Sequence, residues 1–483
     1  MSRATTPSAI TPSTDCTADR PPTLLHRAHL PLAAGAVALV TLGAFENRAV
    51  MTVLPTAARE LDGLWLFGVA SGAPLISFVV ATTLAGLWSD RRGPVRALAA
   101  GMATFLLGEL TMGLAPAMPV FVVGRFLGGL AEGLLDVGLT VLVARALPPE
   151  LRPRIFAAFA AAWVLPSLLG PSVAGIVAER LHWRAVFLLG VVLLVPVVGL
   201  LRPAMKASAA NAAATATNTV DAPASGGAAS NQRRSAGWAV VAATALAALS
   251  AGGSLVTRPG PPRLAGAVLL VGGLATLLPS VRVLLPAGTL RAAPGIPALT
   301  VLRGLLGVAF GTAGGLMPLM LAEVHGYGPA EAGVSLTITG VFWAAGSQLQ
   351  SRRVVQERIG VGRQLQVGFA LMAGGLVGPT LLSLSLVPPL LGLGLWAVAA
   401  TGIGICSPVI STQVLALSAE ADQGRNSAAS VLAPSISQAV AFAATGAAIA
   451  WQAPHPTGGL FATIMGASAL AAGLAALLAT RAG

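Results

Sequence analysis

Fourteen continuous apolar runs govern what this chain can become. They cover residues 30–57, 66–88, 95–115, 118–146, 155–178, 185–202, 236–256, 264–286, 297–322, 330–350, 365–384, 386–417, 425–450 and 458–480. Most reach the roughly 20 residues that an α-helix needs to cross a bilayer, where backbone polar groups must be satisfied without water. No alternation of period two interrupts them, which favours helices over an outer-membrane barrel. Only 10% of the 483 residues are charged and 55% are hydrophobic. Soluble domains carry about 25% charged residues. The expected fold class is therefore an all-α polytopic membrane protein with 14 transmembrane helices.

Charge sets the expected topology. The net charge is +12, and arginine supplies almost all of it, Lys206 being the single lysine. In a soluble chain such a balance would raise nucleic acid as a partner. Here the arginines gather in alternate connections, such as "DRRGPVR" (90–96), "RALPPELRPR" (145–154) and "SRRVVQERIGVGR" (351–363). The positive-inside rule places those connections, and with an even number of spans both termini, in the cytoplasm. Residues 1–28 are polar, with no apolar core of a signal peptide, and read as a cytoplasmic tail. Residues 205–235 are rich in Ala, Ser and Thr and read as a flexible linker. The expected domains are thus a six-helix bundle over 29–204, an inserted helix pair over 236–290 and a second six-helix bundle over 291–483. The inserted pair carries no acidic residue, so it is expected to lie outside any charged pathway.

Several function classes drop out. Cys16 and Cys406 offer neither a disulfide framework nor metal-ligand spacing. No embedded Ser/His/Asp set and no phosphate-cradling loop suggests an enzyme, and no cofactor or metal is expected.

The stretch "GRFLGGLAEGLLDVG" (124–138) puts Arg125, Glu132 and Asp136 into one apolar run. At about 100° per residue, Glu132 lies about 20° short of two turns from Arg125, and Asp136 about 20° past three. The three share a narrow stripe. A charge at the bilayer centre costs about 2.5–3.5 kcal/mol on insertion scales, so this stripe should face protein or a water-filled cavity. With about 1.5 Å rise per residue, Arg125 falls roughly 10 Å below the outer end of its helix, Glu132 roughly 20 Å and Asp136 roughly 27 Å. Glu46, on the first helix running the other way, reaches the level of Arg125, and the two are expected to pair. For Glu132 a static bridge to Arg48 stays open as an alternative to proton coupling. Glu109 sits in an apolar run without a motif, open between a structural tether and a proton relay. His325 is expected to be solvated, and Phe342 and Trp343 are expected to pack against a neighbouring helix rather than meet a ligand.

Three motifs carry a family resemblance. "GLWSDRRGPVRAL" (86–98) resembles the loop signature of the major facilitator superfamily through Gly86, Asp90, Arg91 and Gly93, with Pro94 and Val95 where basic residues are usual. "FENRAVMTVLP" (45–55) resembles the first-helix motif of the 14-helix drug:proton antiporters, with Glu46 nine residues ahead of Pro55. "LPSLLGPSVAG" (165–175) resembles the antiporter signature through Gly170, Pro171 and Gly175. "RFLGG" (125–129) matches the fourth-helix motif, with Gly128 where Gln is frequent, and the connections at 183–189 and 316–336 fit the same family.

The resemblance implies two six-helix bundles that rock about a central site. It implies that Glu46 and Arg125 couple protons to transport, to which the charged stripe adds Glu132 and Asp136; it implies that Gly86, Asp90, Arg91 and Gly93 form a conformational latch, and that Gly170, Pro171 and Gly175 support a helix bend. The expected activity is proton-coupled efflux of hydrophobic small molecules, cationic ones included, by a monomer in the bacterial inner membrane. Export of one endogenous metabolite or lipid, and a non-transporting membrane receptor, stay open as alternatives.

Overall fold

The computed structural model describes residues 29–218, 226–419 and 422–482, together with Leu24 and His26. Among the described residues the structure is helical, without a strand. Thirteen stretches are long and apolar enough to cross a membrane. A further 22-residue helix, Pro329–Gln350, completes the series of fourteen.

The first bundle comprises α1 (Leu30–Glu60), α2 (Phe67–Arg92), α3 (Pro94–Gly113), α4 (Met118–Ala146), α5 (Arg152–Ala162), α6 (Val164–Arg180) and α7 (Trp183–Asn218). Here α5 and α6 are two parts of one span. The inserted pair is α8 (Gly226–Val256) and α9 (Pro261–Leu284). The second bundle comprises α10 (Ile296–Leu306), α11 (Thr312–His325), α12 (Pro329–Gln350), the short α13 (Arg353–Arg358), α14 (Val361–Ser383), α15 (Pro389–Leu417), α16 (Gln423–Gln452) and α17 (Gly458–Leu478). A π-helical turn, Gly307–Gly311, joins α10 to α11.

Local chemistry sets many of these boundaries. Proline stands in the first turn of α3, α9, α12 and α15, where its missing N–H leaves no intrahelical bond unmade. Gly93 ends α2 at φ +77°, a conformation that glycine adopts without steric cost; this is the tight turn expected of the 86–98 motif. The side chains of Asp90 and Arg91 lie outside the described residues. The break between α5 and α6 falls at Trp163, just ahead of Pro166. Proline at 166 cannot donate to the carbonyl of Ala162, and its ring crowds that carbonyl. The interruption therefore belongs to Pro166, while Pro171 is accommodated inside α6.

The expected linker, 205–235, is shorter than its composition suggested. Helix α7 continues to Asn218 and α8 starts at Gly226. Alanine has the highest intrinsic helix propensity, and an Ala-rich segment that follows a membrane helix extends it. The remainder, 219–225, and most of the tail 1–28 lie outside the described residues.

The bundles meet along two seams, α6 against α12 and α2 against α16. The first seam depends on small residues. A Cβ on Gly175 would stand 2.4 Å from the Ala330 Cα, and one on Gly333 would stand 3.0 Å from the Pro171 carbonyl oxygen. Such approach is the membrane use of glycine. Helix α8 packs on both α2 and α16, whereas α9 packs mainly on α8. Leu264, Val268 and Val271 of α9 are more than 70% exposed, as expected of a lipid-facing surface.

Candidate functional site

The stripe on α4 meets α1 inside the first bundle. Arg125 is 3% exposed. Its Nη1 donates to Glu46 Oε1 at 3.4 Å, and its Nε donates to the Ala70 carbonyl on α2 at 3.2 Å. Two contacts from two helices fix the guanidinium, so the expected Glu46–Arg125 pair is present. Glu46 is only partly covered, its side chain 15% exposed.

In front of this pair lies a cavity of about 280 Å³. Its acidic walls are Glu46, Glu132 and Asp136, and its aromatic walls are Phe78, Phe105, Phe159 and Trp163. Leucines, other small or apolar residues and Thr140 fill the remainder. Glu132 and Asp136 are both solvent-accessible, so these acids face open space, as the 100° stripe required. Gly128 belongs to the same wall, and a Cβ there would come no nearer than 4.0 Å to Glu46 Oε1. A longer side chain at 128 would fill the room in front of the carboxylate. Every wall residue belongs to the first bundle. The inserted pair contributes none, in keeping with its lack of acids.

The lining sets what can bind. Three carboxylates face the cavity and no basic side chain lines it. Aromatic faces attract cations through their quadrupoles, and carboxylates do so by charge. A flat, apolar cation fits both. A proton and a cation would compete for any one carboxylate.

Other residues fall differently from expectation. Arg48 forms no bridge to Glu132 among the described ion pairs. Its Nε is buried without a hydrogen-bond partner, and its Cβ lies beside Gly170 of α6. The side chain of residue 48 is thus directed to the α6 side of α1, away from the stripe. His325 is not simply solvated: it ends α11, and its Nε2 lies 3.0 Å from the Leu382 carbonyl oxygen. Trp343 packs edge-on to Phe310 at 6.4 Å, and Phe310 stacks on Trp396 at 4.6 Å. Phe342 is 40% exposed and lines no part of the acidic cavity. Gly170 faces Phe45 and Arg48 of α1, while Pro171 and Gly175 lie along the α6–α12 seam.

Sequence reasoning missed the closure at the opposite end of the molecule. Arg59 Nε on α1 donates to Glu323 Oε1 on α11 at 2.9 Å. Glu179 at the end of α6 accepts a hydrogen bond from the Ala330 N–H at 2.9 Å, a carboxylate at a helix N-terminus. Both contacts join one bundle to the other. The acidic cavity lies towards the Arg-rich end, so the closed seam and the cavity occupy opposite halves of the bundle.

Comparison with known proteins fixes the family. The model of the Major Facilitator Superfamily matches residues 36–442. The chain belongs to the major facilitator superfamily. It is a multi-pass membrane protein with the fold of a transporter. A "Probable multidrug-efflux transporter" of Mycobacterium tuberculosis is 32% identical over 154 residues, 32% of each chain. "Multidrug resistance protein 3" of Bacillus subtilis is 26% identical over 153 residues, 32% of this chain and 30% of the relative. A "Triacylglyceride transporter" of Mycolicibacterium smegmatis is 29% identical over 174 residues, 35% of this chain and 30% of the relative. The chain spans about a third of the length of these curated relatives. Among solved structures, a POT family transporter in complex with 5-aminolevulinic acid superposes with a TM-score of 0.67 at 14% identity, covering 92% of this chain and 94% of that one. A D-xylose–proton symporter gives 0.63 at 17% identity, covering 94% and 97%. These superpositions establish the shared fold.

Proposed function

We propose that this superfamily member exports hydrophobic, cationic small molecules in exchange for protons, by alternating access in the bacterial inner membrane with both termini in the cytoplasm. The observation that carries the reading is the Glu46–Arg125 pair at 3.4 Å, set at the back of a cavity that Glu132 and Asp136 also line. Under the topology set by the Arg-rich connections, that cavity lies on the cytoplasmic half and the seam at Arg59–Glu323 closes the outer half. A cytoplasmic cation would enter among the acids and aromatics. Once the bundles rock and the outer seam parts, a proton arriving at Glu46 would weaken the site's hold on the cation and release it outward. Gly175 and the rest of the α6 motif would seal the path between states, and the 86–93 turn would hold one of them. The relatives named as multidrug transporters support the substrate class.

The test is a dye-efflux assay in inverted membrane vesicles with an imposed pH gradient. Glu46→Gln is expected to abolish gradient-driven efflux while the protein inserts at the wild-type level. Undiminished efflux would remove Glu46 from the mechanism. A second reading, export of an endogenous lipid, is supported by the likeness to the triacylglyceride transporter. Failure of several unrelated cationic dyes to move, alongside transport of a neutral lipid, would favour it.

A further inference from the structure

We propose that Glu109 is a second proton-carrying carboxylate, placed behind Glu46, that adds one proton to each transport cycle. The proposal rests on the proton-exchange reading above and deepens it.

Glu109 lies on α3 and is 2% exposed. Its carboxylate is packed against the backbone of α7: a Cβ on Gly190 would stand 2.9 Å from Glu109 Oε2. Glycine at 190 is what leaves space for the acid. Among the described residues, no hydrogen-bond donor and no ion-pair partner of Glu109 is found. What it does share is a void of about 10 Å³, lined by Glu46 and Glu109 together with Phe45, Val186, Phe187 and Gly190. That volume is about one water molecule's worth. Glu46 lines this void and the acidic cavity alike, so it stands between Glu109 and the pathway.

Charge counting gives the pair its role. The charged groups near Glu109 are Glu46 on α1 and Arg125 on α4; the lining contributed by α7 carries no titratable group. Arg125 already donates to Glu46 and to the Ala70 carbonyl. One guanidinium offsets one carboxylate, and a second carboxylate left unpaired in a buried setting is strongly disfavoured. The pair Glu46 and Glu109 therefore holds a proton between them while Arg125 is engaged. The step is a proton transfer: the O–H of the Glu109 carboxylic acid passes its proton through the intervening water to the Glu46 carboxylate, Glu109 becomes the carboxylate, and Arg125 turns its charge towards it. Glu46 has by then released its own proton to the cavity; it releases the transferred one in turn, and the entering cation offsets its carboxylate while Arg125 offsets Glu109. On the other side a first proton passes through Glu46 to Glu109 and a second stays on Glu46 and frees the cation. Two protons thus move inward against one monovalent cation, one net positive charge per cycle.

The consequence is measurable in proteoliposomes holding the full-length protein, with ethidium as the probe. One arm applies a pH gradient with the potential clamped at zero; the other applies a potassium diffusion potential at equal pH. Wild type is expected to respond to both. Glu109→Gln is expected to retain gradient-driven exchange within a few-fold and to lose potential-driven exchange, because one proton against one cation moves no net charge. A purely structural role would depress both arms together, and that outcome overturns the proposal. It is also overturned if wild type fails to respond to potential, or if Glu109→Gln still does. Loss of both arms in wild type would instead remove the proton-exchange reading, and this inference with it. Should Glu109→Gln fail to insert, Gly190→Ala, which crowds the acid and leaves it in place, is expected to weaken the potential-driven arm several-fold more than the other; equal weakening overturns the proposal.

Discussion

The Arg59 guanidinium and the Glu323 carboxylate lie 2.9 Å apart and join α1 to α11 across the bundle seam. Arg59 is 43% exposed in its side chain, so the pair contributes no more than about 1 kcal/mol. A contact of that size biases a two-state equilibrium by a few-fold without locking it.

Removing either partner should therefore open the outer end in part. Arg59→Ala and Glu323→Ala are each expected to raise the open population by up to about fivefold, since about 1 kcal/mol corresponds to that ratio. The double variant should add little to either one. Electron–electron distance measurements between spin labels on the outer ends of α1 and α11 would read it. Strictly additive shifts would show that the two side chains do not act as a pair.

The α6–α12 seam should be far less forgiving. A side chain at 175 would meet the Ala330 backbone, which cannot yield as a flexible side chain can. Gly175→Val is expected to hold the seam apart and reduce transport at least tenfold while insertion persists. The same spin-label pair should report the outer-open state. Wild-type transport by this variant would show that the close approach of α6 and α12 is dispensable.

Position 128 separates size from packing. Its Cβ space is free to 4.0 Å, so Gly128→Ala should bind a cationic dye within about twofold of wild type. Gly128→Leu projects into the cavity before Glu46 and should weaken binding by about tenfold or more, a loss of about 1.4 kcal/mol. Fluorescence polarisation with the purified protein measures both. Equal affinity for the two variants would place the dye elsewhere.

Protons and cations should compete at the exposed acids. Lowering the pH neutralises carboxylates, so cation affinity should fall as pH falls and recover as it rises. Glu132→Gln and Asp136→Asn should each weaken cation binding several-fold at neutral pH and flatten its pH dependence. Neutral ligands of the same shape should show no such slope. Titration of dye binding across pH in detergent gives the comparison.

Much of this was legible in the chain. The apolar runs gave the helices, and the 100° turn per residue placed Glu132 and Asp136 on the cavity wall that the structure shows. The antiparallel course of α1 and α4 brought Glu46 level with Arg125. What escaped depends on contacts distant in sequence. Arg59 meets Glu323 across 264 positions, and no local pattern announces it. Glu109 gains its void from a glycine on α7, which reads in isolation as one small residue among many. The alternative Arg48–Glu132 bridge is not formed because Arg48 lies around the helix from Glu46, towards α6, where side-chain direction rather than depth decides the partner. The linker was misjudged because composition alone does not register that a preceding membrane helix already supplies the nucleus for further turns.

All the walls of the acidic cavity precede residue 164. Under the proposed exchange, selectivity would be written into the opening third of the sequence, and the remainder would serve as a shutter. Substitutions that broaden or narrow the range of cargo would then accumulate there without disturbing the later helices. A hybrid that takes its first 182 residues from a relative should inherit that relative's preferences, provided the two halves still meet along their shared glycines.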